Sequence, residues 1–330
     1  MRAFFDDGYV AARHQFDTTR KSAVVAEAIR AGRVPGVDLV EPSDHLPAAE
    51  AAISEVHDAT YVKALQTGEP DWLARGNGFP WDPGIWTMAI HSTAGILAAV
   101  DEAVATGGPS GSLSSGLHHA RRDRGSGFCT VNGLAVAVHY VLDGEAAGVL
   151  GGAGTVAILD VDAHCGGGTE SLVGADPRVV HLDLSTSGFD AYEPSGASVL
   201  EVVRSDDGDY LAELDRMLDR LPDEAGLVLV NAGMDPHPGI SFATLAERER
   251  RIAERCRRRP TAFVLAGGYT SSMSEERLVD LHLLTVEAMA NLEPAASRAG
   301  RNCQTERVPR GLNGRRWTRR RDKKREETSR

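Results

Sequence analysis

Apolar runs that end in glycine or acid set the rhythm of this chain. VAILDVDAH around residue 160, RVVHLDLS around 182, LVLVNAGMD around 230 and AFVLAGGY around 265 read as strands, with shorter ones at MRAFFD and GSLSSGL. The runs are continuous rather than alternating, as expected of strands buried on both faces of a parallel sheet. Between them lie segments of helical period: TRKSAVVAEAIRAG, DATYVKALQT, TMAIHSTAGILAAVDEAVAT, NGLAVAVHYVLD, YLAELDRMLDRL, TLAERERRIAERC and ERLVDLHLLTVEAMANL. In the third of these, Ile90, Ala94, Leu97 and Val104 fall on one helix face. The pattern predicts an α/β protein, a three-layer α/β/α arrangement around a mainly parallel central sheet. No solenoid repeat interrupts it.

Polar residues gather where the strands end. Asp160, Asp162 and His164 follow one strand at alternate positions, so they can share a side of extended backbone. Asp235 follows LVLVNAGM, Gly267, Gly268 and Tyr269 follow AFVLA, and the pair His118–His119 follows GSLSSGL. Ligands of open parallel sheets bind beyond these carboxyl ends. Two carboxylates and an imidazole with an open position suit Zn²⁺, with Fe²⁺ allowed by the same donor types, so Asp162, His164 and Asp235 are the candidate ligands. A strand-end turn with solvated polar groups is the plainer reading of DxDxH alone. The histidine pair offers an acid and a base for metal-assisted hydrolysis, and Asp160 is placed to orient one imidazole. Tyr269, on a Gly-Gly turn, can aim a phenol at a developing oxyanion.

Composition narrows the setting. The 330 residues carry a formal net charge of −11, which argues against a body that wraps nucleic acid. Residues 298–330 hold 13 Lys/Arg and 4 Asp/Glu, a net of +9, leaving −20 for the rest. This stretch lacks helical or strand patterning and is expected to be a disordered basic tail after a domain spanning 1–297. Contact with an anionic partner such as nucleic acid is the alternative use of the tail. The four cysteines are scattered without a CxxC, which points away from a disulfide framework and toward a reducing compartment. With no apolar leader and no run near the length of a membrane span, a cytoplasmic protein without a membrane partner is expected. Oligomeric state is not legible.

The ordered motifs resemble one family. SSGLHHARRDRGSGFCTVNGLAVA resembles the GHHA and GFC segment of the histone deacetylase and acetylpolyamine amidohydrolase superfamily, in its bacterial type. ILDVDAHCGGGTE resembles its DxDxHxGxGT segment, LVNAGMDPHPG its (S/A)GFDAH segment, VLAGGYT its LEGGY segment, and EVHDATYVKAL an N-terminal element. All five occur in the family's order over about residues 1–292. The resemblance implies the arginase/deacetylase fold and a zinc-dependent amidohydrolase acting on acyl-lysine or an acylated small amine. It implies zinc on Asp162, His164 and Asp235, with His119 as base, His118 held by Asp160, and Tyr269 polarising the acyl carbonyl. Phe128, after Gly127, would line one wall of the acyl tunnel, Tyr192 the opposite wall, and Asp82 the rim. A structural K⁺ near Asp160 is a further family feature.

Several positions depart from the family pattern. Cys165 follows His164 where a second His is usual, and is expected to be an incidental thiol. Gly167 stands where an Asp or Asn usually orients the second imidazole, so His119 is expected to lack that partner. Asp183 and Ser185 replace the usual residues near the K⁺ site. PHPGISF follows Asp235 in place of the usual rim loop, and no acidic residue selective for polyamines is evident. These departures motivate an alternative, a metal-containing acyl-lysine binding protein with little turnover. A two-metal manganese ureohydrolase would need more carboxylates than can be assembled.

Overall fold

The structure, a computed structural model, describes residues 1–13, 17–151, 154–204 and 207–292. The expected basic tail at 298–330 lies outside the described residues. Eight strands among the described residues form one sheet: β1 (Arg2–Phe4), β2 (Asp38–Val40), β3 (Pro109–Ser112), β4 (Val156–Asp160), β5 (Val179–Ser185), β6 (Val199–Val202), β7 (Leu227–Ala232) and β8 (Thr261–Leu265). Their order is β2-β1-β3-β8-β7-β4-β5-β6, and every pairing is parallel. The helices are α1 (Asp17–Arg30), α2 (Leu46–Val56), α3 (Ala59–Thr67), α4 (Asp71–Ala74), α5 (Gly84–Thr106), α6 (Gly133–Leu142), α7 (Gly167–Val173), α8 (Asp207–Arg220), α9 (Phe242–Cys256) and α10 (Glu275–Ala290).

Each apolar strand feeds two cores. Val156 and Ile158 of β4, Leu227 and Leu229 of β7, and Ala262 and Val264 of β8 pack with α2, α3, α5 and α6. The intervening Ala157 and Leu159, Val228 and Val230, and Phe263 and Leu265 pack with α1, α8, α9 and α10. This two-residue alternation between equally apolar faces is why the runs look continuous in sequence. The result is the three-layer α/β/α arrangement with a wholly parallel sheet. Helix α5 is long and apolar enough to cross a membrane by length and composition, contrary to expectation. However, 67% of its most apolar window is buried inside the protein, which makes it the central helix of one core.

The sheet also sets where polar groups emerge. Strands β3, β8, β7, β4 and β5 are consecutive neighbours at its centre, and their carboxyl ends carry the loops with His118, Tyr269, Asp235, Asp162 and residue 190. Adjacent strands lie about 4.8 Å apart, so five such loops can meet over one small area.

Candidate active site

The histidine pair is fixed from below and from the side. Asn132 caps α6 by accepting from the Ala135 N–H at 3.0 Å, and its amide donates to the carbonyls of His118 (3.3 Å) and Ala120 (3.0 Å). The first imidazole donates Nδ1–H to Asp160 Oδ2 at 2.7 Å. Asn231 donates to the other oxygen of Asp160 at 2.8 Å, and the Asp162 N–H reaches that same oxygen at 3.2 Å. Asp160 is fully buried, so a well-satisfied carboxylate holds the ring. The second imidazole donates Nδ1–H to Asp190 Oδ2 at 3.0 Å. The expectation that His119 lacks an orienting carboxylate is therefore corrected: the partner comes from the loop after β5 instead of from position 167. Leu117, Phe128 and Asp190 are the non-glycine residues with positive φ among the described ones, at 55°, 63° and 61°. All three border this cluster, where strained backbone tends to concentrate.

Asp162, His164 and Asp235 bring one ligand atom each within 4.8 Å of one another. His164 Nδ1 lies 3.2 Å from Asp162 Oδ1 and 3.1 Å from Asp235 Oδ2. Two donors each about 2.1 Å from a tetrahedral zinc would be about 3.4 Å apart, so this spacing fits a small divalent cation. The remaining carboxylate oxygens are oriented by backbone: Asp162 Oδ2 accepts from the Gly267 N–H at 2.7 Å and Asp235 Oδ1 from the Ala163 N–H at 2.9 Å. Asp235 Oδ2 is buried and has no aligned hydrogen bond despite its closeness to His164. A buried carboxylate oxygen left in this state costs free energy unless a cation meets it. Gly267 is obligatory here, since a Cβ would stand 2.2 Å from Asp235 Oδ2 and 2.6 Å from Asp162 Oδ2.

The same cavity is lined by His118, His119, Phe128, Asp162, Gly267 and Tyr269, with Gly127 beside His119. Gly268 turns the chain just behind with φ = 149°, where a Cβ would stand 2.6 Å from Leu278 and 3.0 Å from His282. Phe128 is 40% exposed and Phe189 is 50% exposed, unusual for large apolar side chains. Phe189 packs edge-on against both His119 (5.1 Å) and His164 (5.7 Å). Tyr192 does not form the expected opposite wall. Its ring stacks on the buried His181 at 5.7 Å, and its hydroxyl meets His181 Nδ1 at 3.3 Å. Asp82 accepts from the Gly84 N–H at 2.7 Å at the start of α5 and is not among the cavity's lining residues.

The other departures resolve locally. The Cys165 thiol is buried, donates to the Ser187 carbonyl at 3.3 Å, and burial pushes its pKa up to about 11, so it stays a thiol. Asp183 accepts from the Gly166 N–H and the Ser185 hydroxyl, both at 2.7 Å. Asp160 is likewise committed to three donors. Phe189 and Asp190 were missed in the sequence. Their only signal is an aromatic-acid pair after glycine in SGFDAY, which no motif singles out.

Electrostatics separates the two histidines. Burial alone would lower His118, but the carboxylates of Asp160 and Asp162 outweigh it and push the pKa up to about 10. His119 is held below its ordinary value by burial and by the charge of His118, only partly offset by Asp190. One ring thus favours the imidazolium and its neighbour the neutral base, the pattern of an acid–base pair.

The model of the histone deacetylase domain matches residues 14–285. An uncharacterized protein of Picosynechococcus is 29% identical over 242 residues, 67% of this chain and 76% of its own length. A probable deacetylase of Archaeoglobus fulgidus is 26% identical over 288 residues, 76% and 74% of the two chains. The crystal structure of an acetylpolyamine aminohydrolase from Burkholderia pseudomallei superposes with a TM-score of 0.69 at 21% identity, covering 88% of this chain and 99% of that one. At that identity the likeness shows the shared fold.

Proposed function

Because this chain belongs to the histone deacetylase domain family, we propose that it is a zinc-dependent amidohydrolase that removes acyl groups, acetyl first among them, from lysine side chains or small amines. One observation carries the reading: the donor atoms of Asp162, His164 and Asp235 converge beside a cavity lined by both histidines and Tyr269. A divalent cation held by those three residues supplies Lewis-acid polarisation of an acyl carbonyl and lowers the pKa of a water molecule. Fe²⁺ satisfies the same donor set as Zn²⁺.

The chain's own residues do the rest. His119, neutral and with its Nδ1 proton on Asp190, presents the Nε2 lone pair as proton acceptor for the attacking water. His118, cationic against Asp160, stabilises charge and is the donor to the departing amine. Tyr269 donates a hydrogen bond from its phenol to the carbonyl oxygen as negative charge develops there. Phe128 and Phe189 clasp an extended aliphatic chain and exclude water from it. The amide C–N bond breaks, giving a carboxylate and a free amine. The acetylpolyamine name of one structural relative makes acetylated polyamines a second substrate class to assay beside acyl-lysine peptides. The alternative of a binding protein with little turnover rests on Gly167 and on the altered rim after Asp235; the Asp190–His119 contact supports catalysis against the first of these.

The test is release of free amine from a panel of acyl-lysine peptides and acetylated polyamines, using zinc-loaded protein beside Tyr269→Phe. Turnover of at least one class by the wild type, with most of the rate lost in the variant, supports the reading. A wild type that binds zinc yet turns over nothing rejects it.

A further inference from the structure

We propose that Asp190 is the positioning residue that sets the tautomer and orientation of His119, delivered from the loop after β5 into space that Gly167 leaves open. The inference rests on the deacylase reading for its kinetic consequence. Its structural content stands on the chain alone.

The carboxylate is built in from three directions. Oδ2 accepts Nδ1–H of His119 at 3.0 Å and the Gly168 N–H at 3.2 Å. Oδ1 takes Nη2 of Arg121, whose Nη1 donates to the Gly167 carbonyl at 2.8 Å. Arg121 lies two residues beyond His119, so the loop carrying the base also carries the clamp on its partner. The side chains of Asp190 and His119 are only 10% and 5% exposed, which separates this pair from a surface ion pair of little consequence. Asp190 adopts φ = 61°, a left-handed conformation that aspartate tolerates better than most residues.

Gly167 and Asp190 are sterically linked. A Cβ at 167 would stand 2.3 Å from the Asp190 carbonyl oxygen and 2.8 Å from its Oδ1. A side chain at 167 and the present path of the 190 loop exclude each other. Because a carboxylate accepts and never donates, Asp190 forces the proton onto Nδ1 of His119 and leaves Nε2 as the lone pair facing the cavity. The ring is in turn packed edge-on by Phe189, the preceding residue. One short loop therefore supplies both an aromatic contact to the ring and the orienting group.

The experiment uses the full chain with ¹⁵N-labelled histidine, a His119→Gln sample to assign the signal, and the variants Asp190→Ala and Asp190→Asn. The wild type is expected to show the Nδ1–H tautomer of His119. Asp190→Ala is expected to shift it toward Nε2–H, and to lower kcat for amine release by about 10- to 100-fold with KM changed less than about twofold, the usual cost of losing an orienting partner. Asp190→Asn retains an acceptor and is expected to recover most of both. An Asp190→Ala protein that keeps the Nδ1–H tautomer, or keeps wild-type kcat, overturns the proposal. Should Asp190→Ala fail to fold, the wild type and Asp190→Asn decide: an Nε2–H tautomer in the wild type, or an Asn variant without Nδ1–H, overturns it. If the wild type releases no amine from any substrate, the function proposed above falls, and the tautomer alone decides the role of Asp190.

Discussion

Tyr269 reaches the cavity through a Gly-Gly turn, and removing one oxygen from it isolates its role. Tyr269→Phe is expected to lower kcat by about 100- to 1000-fold, the range for losing one oxyanion donor, with metal stoichiometry unchanged. Steady-state kinetics beside metal analysis checks both. Gly167→Ala is the matching steric test. Its methyl would meet the Asp190 carbonyl at 2.3 Å, so the 190 loop must move. Activity is expected to fall in step with the Nδ1–H signal of His119, and an Ala variant with wild-type rate and tautomer would contradict the packing described. At this scale, Asp162 and His164 were legible because alternate strand positions share a side. Asp190 was not legible, since a lone aspartate in an irregular loop carries no periodicity. Tyr192 misled because it shares that loop, and only its stacking on His181 shows that it turns inward.

Among the elements, α6 and the histidine loop are joined through His57. Its Nδ1 donates to the Arg121 carbonyl at 2.9 Å and its Nε2 accepts the Asn132 N–H at 3.0 Å, so the ring must be neutral to make both bonds. Burial lowers its pKa from 6.5 to about 4. The folded value lies below the unfolded one, so the unfolded chain binds more protons in this window. Stability from this group is complete above about pH 6.5 and is lost as pH falls toward about 4. The full loss is about 3 kcal/mol. Urea midpoints at pH 7 and pH 5 are expected to differ more for the wild type than for His57→Gln, and equal differences would contradict this account. The apolar strands β4, β5, β7 and β8 were readable because each is buried on both faces. The edge strands β2 and β6 were not, since DLV and VLEV are short and partly exposed. Helix α7 was missed because it starts on glycines, the poorest helix formers apart from proline.

At the scale of the whole molecule, the metal-binding loops are tied to the second core by one buried arginine. Arg248 of α9 donates to the Val161 carbonyl at 2.9 Å and the Gly233 carbonyl at 2.7 Å, next to the loops bearing Asp162 and Asp235, and pairs with Glu249 at 2.7 Å. Arg248→Ala leaves Glu249 buried without its partner and is expected to cost about 3–5 kcal/mol, read as a lower denaturation midpoint, together with weaker metal binding. The layer order and the collection of polar groups at one sheet end were visible from the strand endings. This long-range tie was not, because an arginine in an amphipathic helix reads as a solvated face. The claim on which the rest depends is that Asp162, His164 and Asp235 hold one divalent cation that hydrolysis requires. The direct measurement is a zinc titration of chelator-treated protein, with amine release followed at each step beside Asp235→Asn. Activity rising to saturation at one equivalent, and absent in the variant, is the predicted result. Full activity in chelator-treated protein, or undiminished activity in Asp235→Asn, would contradict it.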